Sequence, residues 1–475
     1  MSRIFISFFN AVQHPDDPHA MPCFYESFIK ELAERGNELL VMHHHVFSQD
    51  FGPLPESIKA KITEFSPDFA VIFNNAFYDL SEHFDFPVYI YEVDSVLYYS
   101  NKDVLLAKKD RFRYIVPQIS SIDTVHDLLG VDRRHILHVP FFSSVRREDV
   151  PKTMNISFIG TRFTPCGGDG RVVWNRFMSS SPSAAEVKSF RRALDEVRHN
   201  PYIPQQELRE KFCGEGLDTE AFLNRDEMVS ALSGSIRILT LSAVSDLGLV
   251  IFGTESWATE NCADPNIPLS YNNRAVYSLK HNQDVYNASR LAINVNHVQA
   301  TSGFSWRVCD ILASDACLVS EYKPDFERCF PGVPIPLFTS RYEARELCRK
   351  LLDNENMRRD IVARCNEVID AKFRFANLVP QLEDFLGFSL CGHGRKAAPV
   401  SMEAVSEENV SGPAVLSGKL PCAGGDKSIL RDVRKRYKLF FYLMLLLFSQ
   451  IPGAGMFLPA ETRARLLRKI NKYWR

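Results

Sequence analysis

The sequence predicts an α/β protein of two doubly wound, Rossmann-like domains, with a helical insertion in the second and a basic, apolar tail. Three observations predict it. The chain has 475 residues, more than one hydrophobic core usually serves. Short, continuously apolar runs alternate with helix-like segments over residues 1–150, as in parallel sheets covered on both faces. The same alternation restarts at PKTMNISFIG (151–160).

In the first unit the expected strands are Arg3–Phe8, Glu38–His43, Asp68–Asn74, Val88–Tyr91, Arg113–Val116 and His135–Val139. Pro22–Arg35 carries Phe24, Phe28 and Leu32 at helical spacing and ends before Gly36, a C-cap signal. Ile58–Phe65 reads as a second helix. In the second unit (151–388) a helix-rich insertion is expected at about 172–243. Strands follow at Leu249–Phe252, Ala275–Tyr277, Leu291–Val295 and Ala316–Ser320, with helices at Asn282–Arg290, Trp306–Ala313 and across 341–386. Residues 389–428 are rich in Gly, Ala, Ser and Pro and read as a flexible linker.

Charge separates body from tail. The whole chain is at -2, which argues against a nucleic-acid binder. From Lys427 onward there are 12 Lys and Arg against 2 acidic residues. Within 429–475 the run Leu439–Phe448 (LFFYLMLLLF) is flanked by Arg434, Lys435, Arg436 and Lys438, then by Arg463, Arg465, Arg468 and Lys469. It is about half the ~20 residues a spanning helix needs. It fits a helical segment lying on an anionic membrane surface, or a docking helix with solvated flanks. The 11 cysteines include no C-x-x-C pair, and the amino terminus reads as a strand, not a secretory signal. Free thiols and a cytoplasmic location, peripheral on the inner membrane face, are expected.

The segment most suggestive of chemistry is 286–321, YNASRLAINVNHVQATSGFSWRVCDILASDACLVSE. A buried strand ends in a polar loop that opens a helix near Ser305. Ligands of doubly wound sheets sit beyond the carboxyl ends of strands. Ser302–Gly303 permits close backbone approach, and the helix start with Arg307 offers a phosphate N–H groups and a bidentate cation. Asp310 shares a helix face with Arg307 and suits a ribose or sugar hydroxyl; a plain surface Arg–Asp pair is the other reading. Gly160–Thr161–Arg162 and Gly253 follow strands, where glycine turns approach a diphosphate. Trp257 suits either a stacked base or the core. Asn294 and Asn296 end the strand and suit sugar hydroxyls. In the first unit, Asp94 follows a strand and suits either an acceptor-side base or a helix cap. His14 and Asp16, in the loop after the first strand, are further acid/base candidates. His43–His44–His45 lacks metal-ligand spacing. P-loop, G-x-G-x-x-G, G-x-S-x-G and H-E-x-x-H patterns are absent.

The stretches YNASRLAINVNH, GFSWRVCDILASDACLVSEYKPDFERCF and LFTSRYEARELCRKLLDNENMRRDIVARC, spread over about 90 residues from Val285 to Phe375, resemble the GT-B glycosyltransferases. They look most like the branch related to the spore-coat maturation protein CgeB, with its glycosyltransferase-group-1-like C-terminal half. Ser314–Asp315 stands where that family usually has a small residue and Gly. The resemblance implies two facing domains, a nucleotide-sugar donor on the second with Phe304 in its loop, a glycan or lipid-linked saccharide acceptor on the first, and retention of anomeric configuration. It also places a strand-end Asp near Asp94. No cofactor and no metal are expected, the diphosphate being met by Arg307 and helix dipoles. A sugar-nucleotide epimerase and a non-catalytic saccharide-binding scaffold are the rival readings.

Overall fold

The computed structural model describes residues 2–405, apart from 11, 13–16, 18, 45–53, 75–78, 100–101, 164–182, 186, 189–190, 193–195, 197–225, 260–263 and 393–399. The strands are β1 (Arg3–Phe9), β2 (Glu38–His44), β3 (Phe69–Phe73), β4 (Val88–Tyr91), β5 (Phe112–Val116), β6 (Ile136–His138), β7 (Met154–Ile159), β8 (Leu249–Phe252), β9 (Tyr271–Asn272), β10 (Ser289–Asn294), β11 (Cys317–Glu321), β12 (Leu337–Phe338) and β13 (Val400–Val405). They form two all-parallel sheets, ordered β13-β2-β1-β3-β4-β5-β6 and β12-β11-β10-β7-β8-β9. The second order is the mononucleotide-pair order 3-2-1-4-5-6, whose switch point falls between β7 and β10. In the first sheet the order reverses between β1 and β3.

Alternation along the first sheet sorts its side chains to two covered faces. Phe5, Leu40, Ile72, Ile90 and Tyr114 pack with Ile58 and Ile62 of helix Glu56–Phe65 and with Val125 and Leu129 of helix Ser120–Leu129. Ile4, Ile6, Phe8, Val71, Phe73 and Tyr91 face helix Cys23–Glu34, which presents Phe24, Phe28 and Leu32. That helix stops as expected, with Gly36 at φ +83° just past its end.

This second face continues without a break into the second domain. Phe24 is the hinge of the packing: its ring lies 5.7 Å from Trp306, 5.1 Å from Phe141 and 5.6 Å from Tyr91. Helix Phe375–Leu386 then returns to the first domain. Phe375 meets Phe28 at 5.8 Å, and Tyr89 Oη donates to the Leu386 carbonyl at 2.5 Å.

The structure corrects three expectations. Residues 400–405, placed in a flexible linker, form an edge strand in register with β2, from Val400–Leu39 to Val405–His44. The strand expected at Ala275–Tyr277 is displaced to Tyr271–Asn272, and helix Leu279–Asn287 ends early enough for Ser289 and Arg290 to enter β10. Of the expected insertion at 172–243, the last helix is Asp226–Val244, while most of 172–225 and the whole tail 429–475 lie outside the described residues. No helix among the described residues is long and apolar enough to cross a membrane.

Candidate donor and acceptor site

The carboxyl ends of β7 and β10 define the crevice of the second domain. After β7, Gly160 donates its N–H to the Phe252 carbonyl at 3.0 Å. Gly253, after β8, crosses it so closely that a Cβ there would stand 2.2 Å from the Gly160 oxygen. Trp257 is wholly buried and donates Nε1–H to that same oxygen at 2.8 Å. Trp257 therefore pins the turn and packs on Phe158, and does not stack on a base.

Arg237 rises into the crevice from helix Asp226–Val244. It is 2% exposed and donates to the Thr161 carbonyl at 2.5 Å and the Val295 carbonyl at 3.3 Å, tying the two strand ends together. Its guanidinium lies 4.2 Å from the Phe163 ring. Burial lowers its proton affinity, and the nearby Arg307 adds to that. Arg307 is partly buried and makes no hydrogen bond or ion pair with any described residue; burial lowers its pKa, against a smaller opposing effect of Tyr286 and Asp310. His297, beside Phe163 at 4.4 Å, is pushed down to about 3 by burial and by Arg237, Arg307 and Lys323. Among the described residues, Lys323 alone of these cations has a close carboxylate, Glu321 at 3.4 Å. A partly buried group of cations in excess of carboxylates is a field prepared for an anion.

Other expected donor ligands serve the frame. Asn294 donates to Asn296 Oδ1 at 3.1 Å and Ser320 Oγ at 3.0 Å, and accepts from Ser305 Oγ at 3.1 Å. Asn296 donates its backbone N–H to Glu321 at 3.0 Å and accepts the Ser305 N–H at 3.2 Å. Both are 1% exposed, so they hold the loop instead of meeting sugar hydroxyls. Phe304 is core, 4.7 Å from Phe326. The helix Trp306–Leu312 has only seven residues, and its first turn is taken up by these Asn–Ser bonds and by Trp306 on Phe24. Gly303 does permit a close approach, but of Gln118, whose Cγ would lie 2.4 Å from a Cβ there. Ser302 bonds Ser120 Oγ at 2.9 Å and Asp325 at 3.0 Å. Asp310 accepts from Ser143 Oγ at 2.6 Å, in the crossover between domains, and from Cys23 Sγ at 3.5 Å. It is a tie between domains, with its carboxylate occupied. Thr161 is exposed, and Arg162 is buried behind it.

Burial pushes Asp310 up to about 6. An unfolded Asp titrates near ~3.9. Between those values the folded chain binds the extra proton, so stability falls as pH rises from about 4 to about 6. Asp310→Asn should flatten that slope and leave the one from Glu92, pushed up to about 7 by burial. Denaturant unfolding at pH 4.5, 6 and 7 reads it; an unchanged slope over the lower interval would contradict the assignment.

Across the crevice stands Asp94, beyond β4. Asn74, at φ +59° after β3, accepts the N–H groups of Val93 and Asp94, both at 2.8 Å, and donates to Asp94 Oδ2 at 2.9 Å. Gln299, from the second domain, donates to Asp94 Oδ1. Burial raises the Asp94 pKa, and these two hydrogen bonds partly oppose it. His14 and Asp16 lie outside the described residues. Sequence reasoning missed Arg237, His297, Gln299 and Asn74. Arg237 had a signal, a lone cation inside the apolar helical run SIRILTL.

A cavity of about 680 Å³ opens at the carboxyl ends of β8 and β9, lined by Glu255, Ala258, Tyr271, Asn272 and Asn273. No group of His, Cys, Asp and Glu among the described residues has metal-binding spacing.

Residues 237–384 match a protein family described as glycosyl transferase-like. The match runs from the helix Asp226–Val244 through the second sheet, in a chain built on two all-parallel, Rossmann-like sheets. No curated protein matches the sequence. Solved structures that resemble it include a sucrose-phosphate synthase from Thermosynechococcus elongatus, at 9% identity, TM-score 0.48, with 81% of this chain and 98% of that chain covered. WaaG, a glycosyltransferase involved in lipopolysaccharide biosynthesis, shows 9% identity, TM-score 0.43 and coverage of 81% and 100%. Anabaena HepE, solved with UDP and glucose, shows 12% identity, TM-score 0.45 and coverage of 82% and 100%.

Proposed function

We propose that this chain moves a sugar from a nucleoside-diphosphate donor to a saccharide or glycan acceptor, and that it stands with the CgeB-like branch of its class. The observation that carries the reading is the cationic group of Arg237, Arg307 and Lys323 at the β7–β10 switch point, opposite Asp94. The diphosphate meets those cations, and the nucleoside extends toward β8 and β9, where the cavity offers amides, a carboxylate and a tyrosine ring. The sugar C1 then faces the first domain. The bond from C1 to the phosphate oxygen breaks, a bond to the acceptor oxygen forms, and Asp94 takes the acceptor hydroxyl proton. The leaving diphosphate keeps the bonding pair, and Arg307 offsets its charge. The acceptor is a cell-envelope or surface glycan, carried to the enzyme on a lipid that the basic tail 429–475 meets at the inner membrane face.

Thermal unfolding of the full chain with UDP-, GDP-, ADP-, CMP- and dTDP-sugars tests the donor half. One nucleotide family at ~100 times its Kd should stabilise by about 2.7 kcal/mol. Arg307→Ala should weaken that ligand by about tenfold to hundredfold, the value of a charged phosphate contact. Unchanged affinity in the variant would remove Arg307 from the site, and no shift with any sugar nucleotide would favour the non-catalytic scaffold.

A further inference from the structure

Two residues of the loop after β10, His297 and Gln299, join the two halves of the crevice. The Gln299 backbone N–H donates to His297 Nδ1 at 3.2 Å, while the Gln299 side chain donates to Asp94. Nδ1 of His297 is thus an acceptor, which puts its proton on Nε2. No described residue bonds Nε2, and the ring is partly exposed. One side of the ring is braced edge-on against Phe163 at 4.4 Å. The charged groups around it are Arg237 from helix Asp226–Val244, Arg307 from helix Trp306–Leu312, and Lys323 beyond β11 with its partner Glu321. Three cations disfavour a fourth, so the ring stays neutral.

We infer that His297 is a fixed, neutral hydrogen-bond donor to the diphosphate, its Nε2–H aimed into the cationic crevice by the Gln299 backbone. No proton is transferred: Nε2–H donates to a phosphate oxygen before and after the sugar leaves. A charged imidazolium would attract the anion more strongly, but repulsion from Arg237, Arg307 and Lys323 opposes its formation. The neutral donor adds direction where the cations already supply charge. Because Gln299 also holds Asp94, the tautomer at the donor and the carboxylate at the acceptor are set by one residue. This inference rests on the donor reading above.

The test uses the full chain with UDP, GDP, ADP and inorganic pyrophosphate as probes. His297→Phe keeps the edge-on packing and removes the donor; it should weaken the probe that binds by about tenfold to hundredfold. His297→Gln places an amide N–H near the Nε2 position and should recover most of the loss. In long-range ¹H–¹⁵N spectra of the imidazoles, the His297 signal, assigned by its loss in His297→Gln, should show the Nε2–H tautomer. It should remain neutral from pH 5.5 to 8 and move when the probe is added. Equal affinity of His297→Phe and the unmodified chain would overturn the inference while leaving the donor site standing. An Nδ1–H tautomer, or an imidazolium forming above pH 5.5, would do the same. If the unmodified chain binds none of the probes, the donor reading fails and this inference with it.

Discussion

Asp94→Asn should lower the rate of sugar transfer by about 10²- to 10⁴-fold and leave nucleoside-diphosphate affinity unchanged. The asymmetry follows from where the residue sits. Asp94 belongs to the first domain, held by Asn74 from β3, and reaches the second only through Gln299. That set makes no hydrogen bond to the cations that meet the diphosphate, and it reaches His297 through the Gln299 backbone N–H, which the substitution leaves in place. Burial raises its pKa, which makes it a stronger base than a surface carboxylate once ionised. Activity should therefore rise with pH through a limb above the ordinary Asp range, and the variant should lose that limb. Asn keeps the shape and one acceptor oxygen, so the fold should hold; equal melting temperatures of the two proteins would confirm it. Steady-state rates across pH, with the donor identified by the thermal panel, decide the matter. A loss below tenfold would make Asp94 a ligand for a sugar hydroxyl and remove it as the base.

The Asp94 cluster also shows what one sequence can and cannot reveal. Periodicity marked both sheets because parallel strands buried on two faces must be continuously apolar, as in FAVIF of β3. It missed β13, since VSMEAV lies in a Gly- and Pro-rich stretch and gains its place only by pairing with β2, more than 350 residues away. Strand ends also pointed to Gly160, Gly253 and Asp94, which the fold sets beyond the carboxyl ends of β7, β8 and β4. Roles were harder to read. Asn294, Asn296 and Asp310 carry the polar groups a sugar would need, yet each is used up by Ser305, Glu321 or Ser143. Such partners are brought together by the fold, and spacing along the chain does not announce them. Conversely, Arg237 and His297 are 60 residues apart in the sequence, and the pairing of β7 with β10 brings together the strand ends, Thr161 and Val295, that Arg237 binds beside His297.

Gly253→Ala should cost about 3–5 kcal/mol, a size reserved for substitutions that force backbone apart. Two terms act together. The residue has φ +157°, a conformation L side chains rarely adopt. The added Cβ would also meet the Gly160 oxygen at 2.2 Å and the Gly160 carbonyl carbon at 3.1 Å. Neither neighbour is a flexible side-chain tip, so β7 and β8 must separate at their carboxyl ends. Separation would break the Trp257–Gly160 bond at 2.8 Å and the Gly160–Phe252 bond at 3.0 Å. It would also shift Thr161, whose carbonyl anchors Arg237. Stability and donor affinity should thus fall together, even at temperatures where the variant is still folded. Gly387→Ala is the control: its φ is +76°, but nothing lies within 4 Å of the new Cβ, so only the left-handed conformation is penalised, by about 1–2 kcal/mol. Denaturant midpoints of the two variants, with nucleotide titrations of each, separate the terms. A Gly253→Ala protein as stable as Gly387→Ala would mean that the β7 and β8 turns are not in contact, and the frame proposed for the diphosphate would have to be rebuilt.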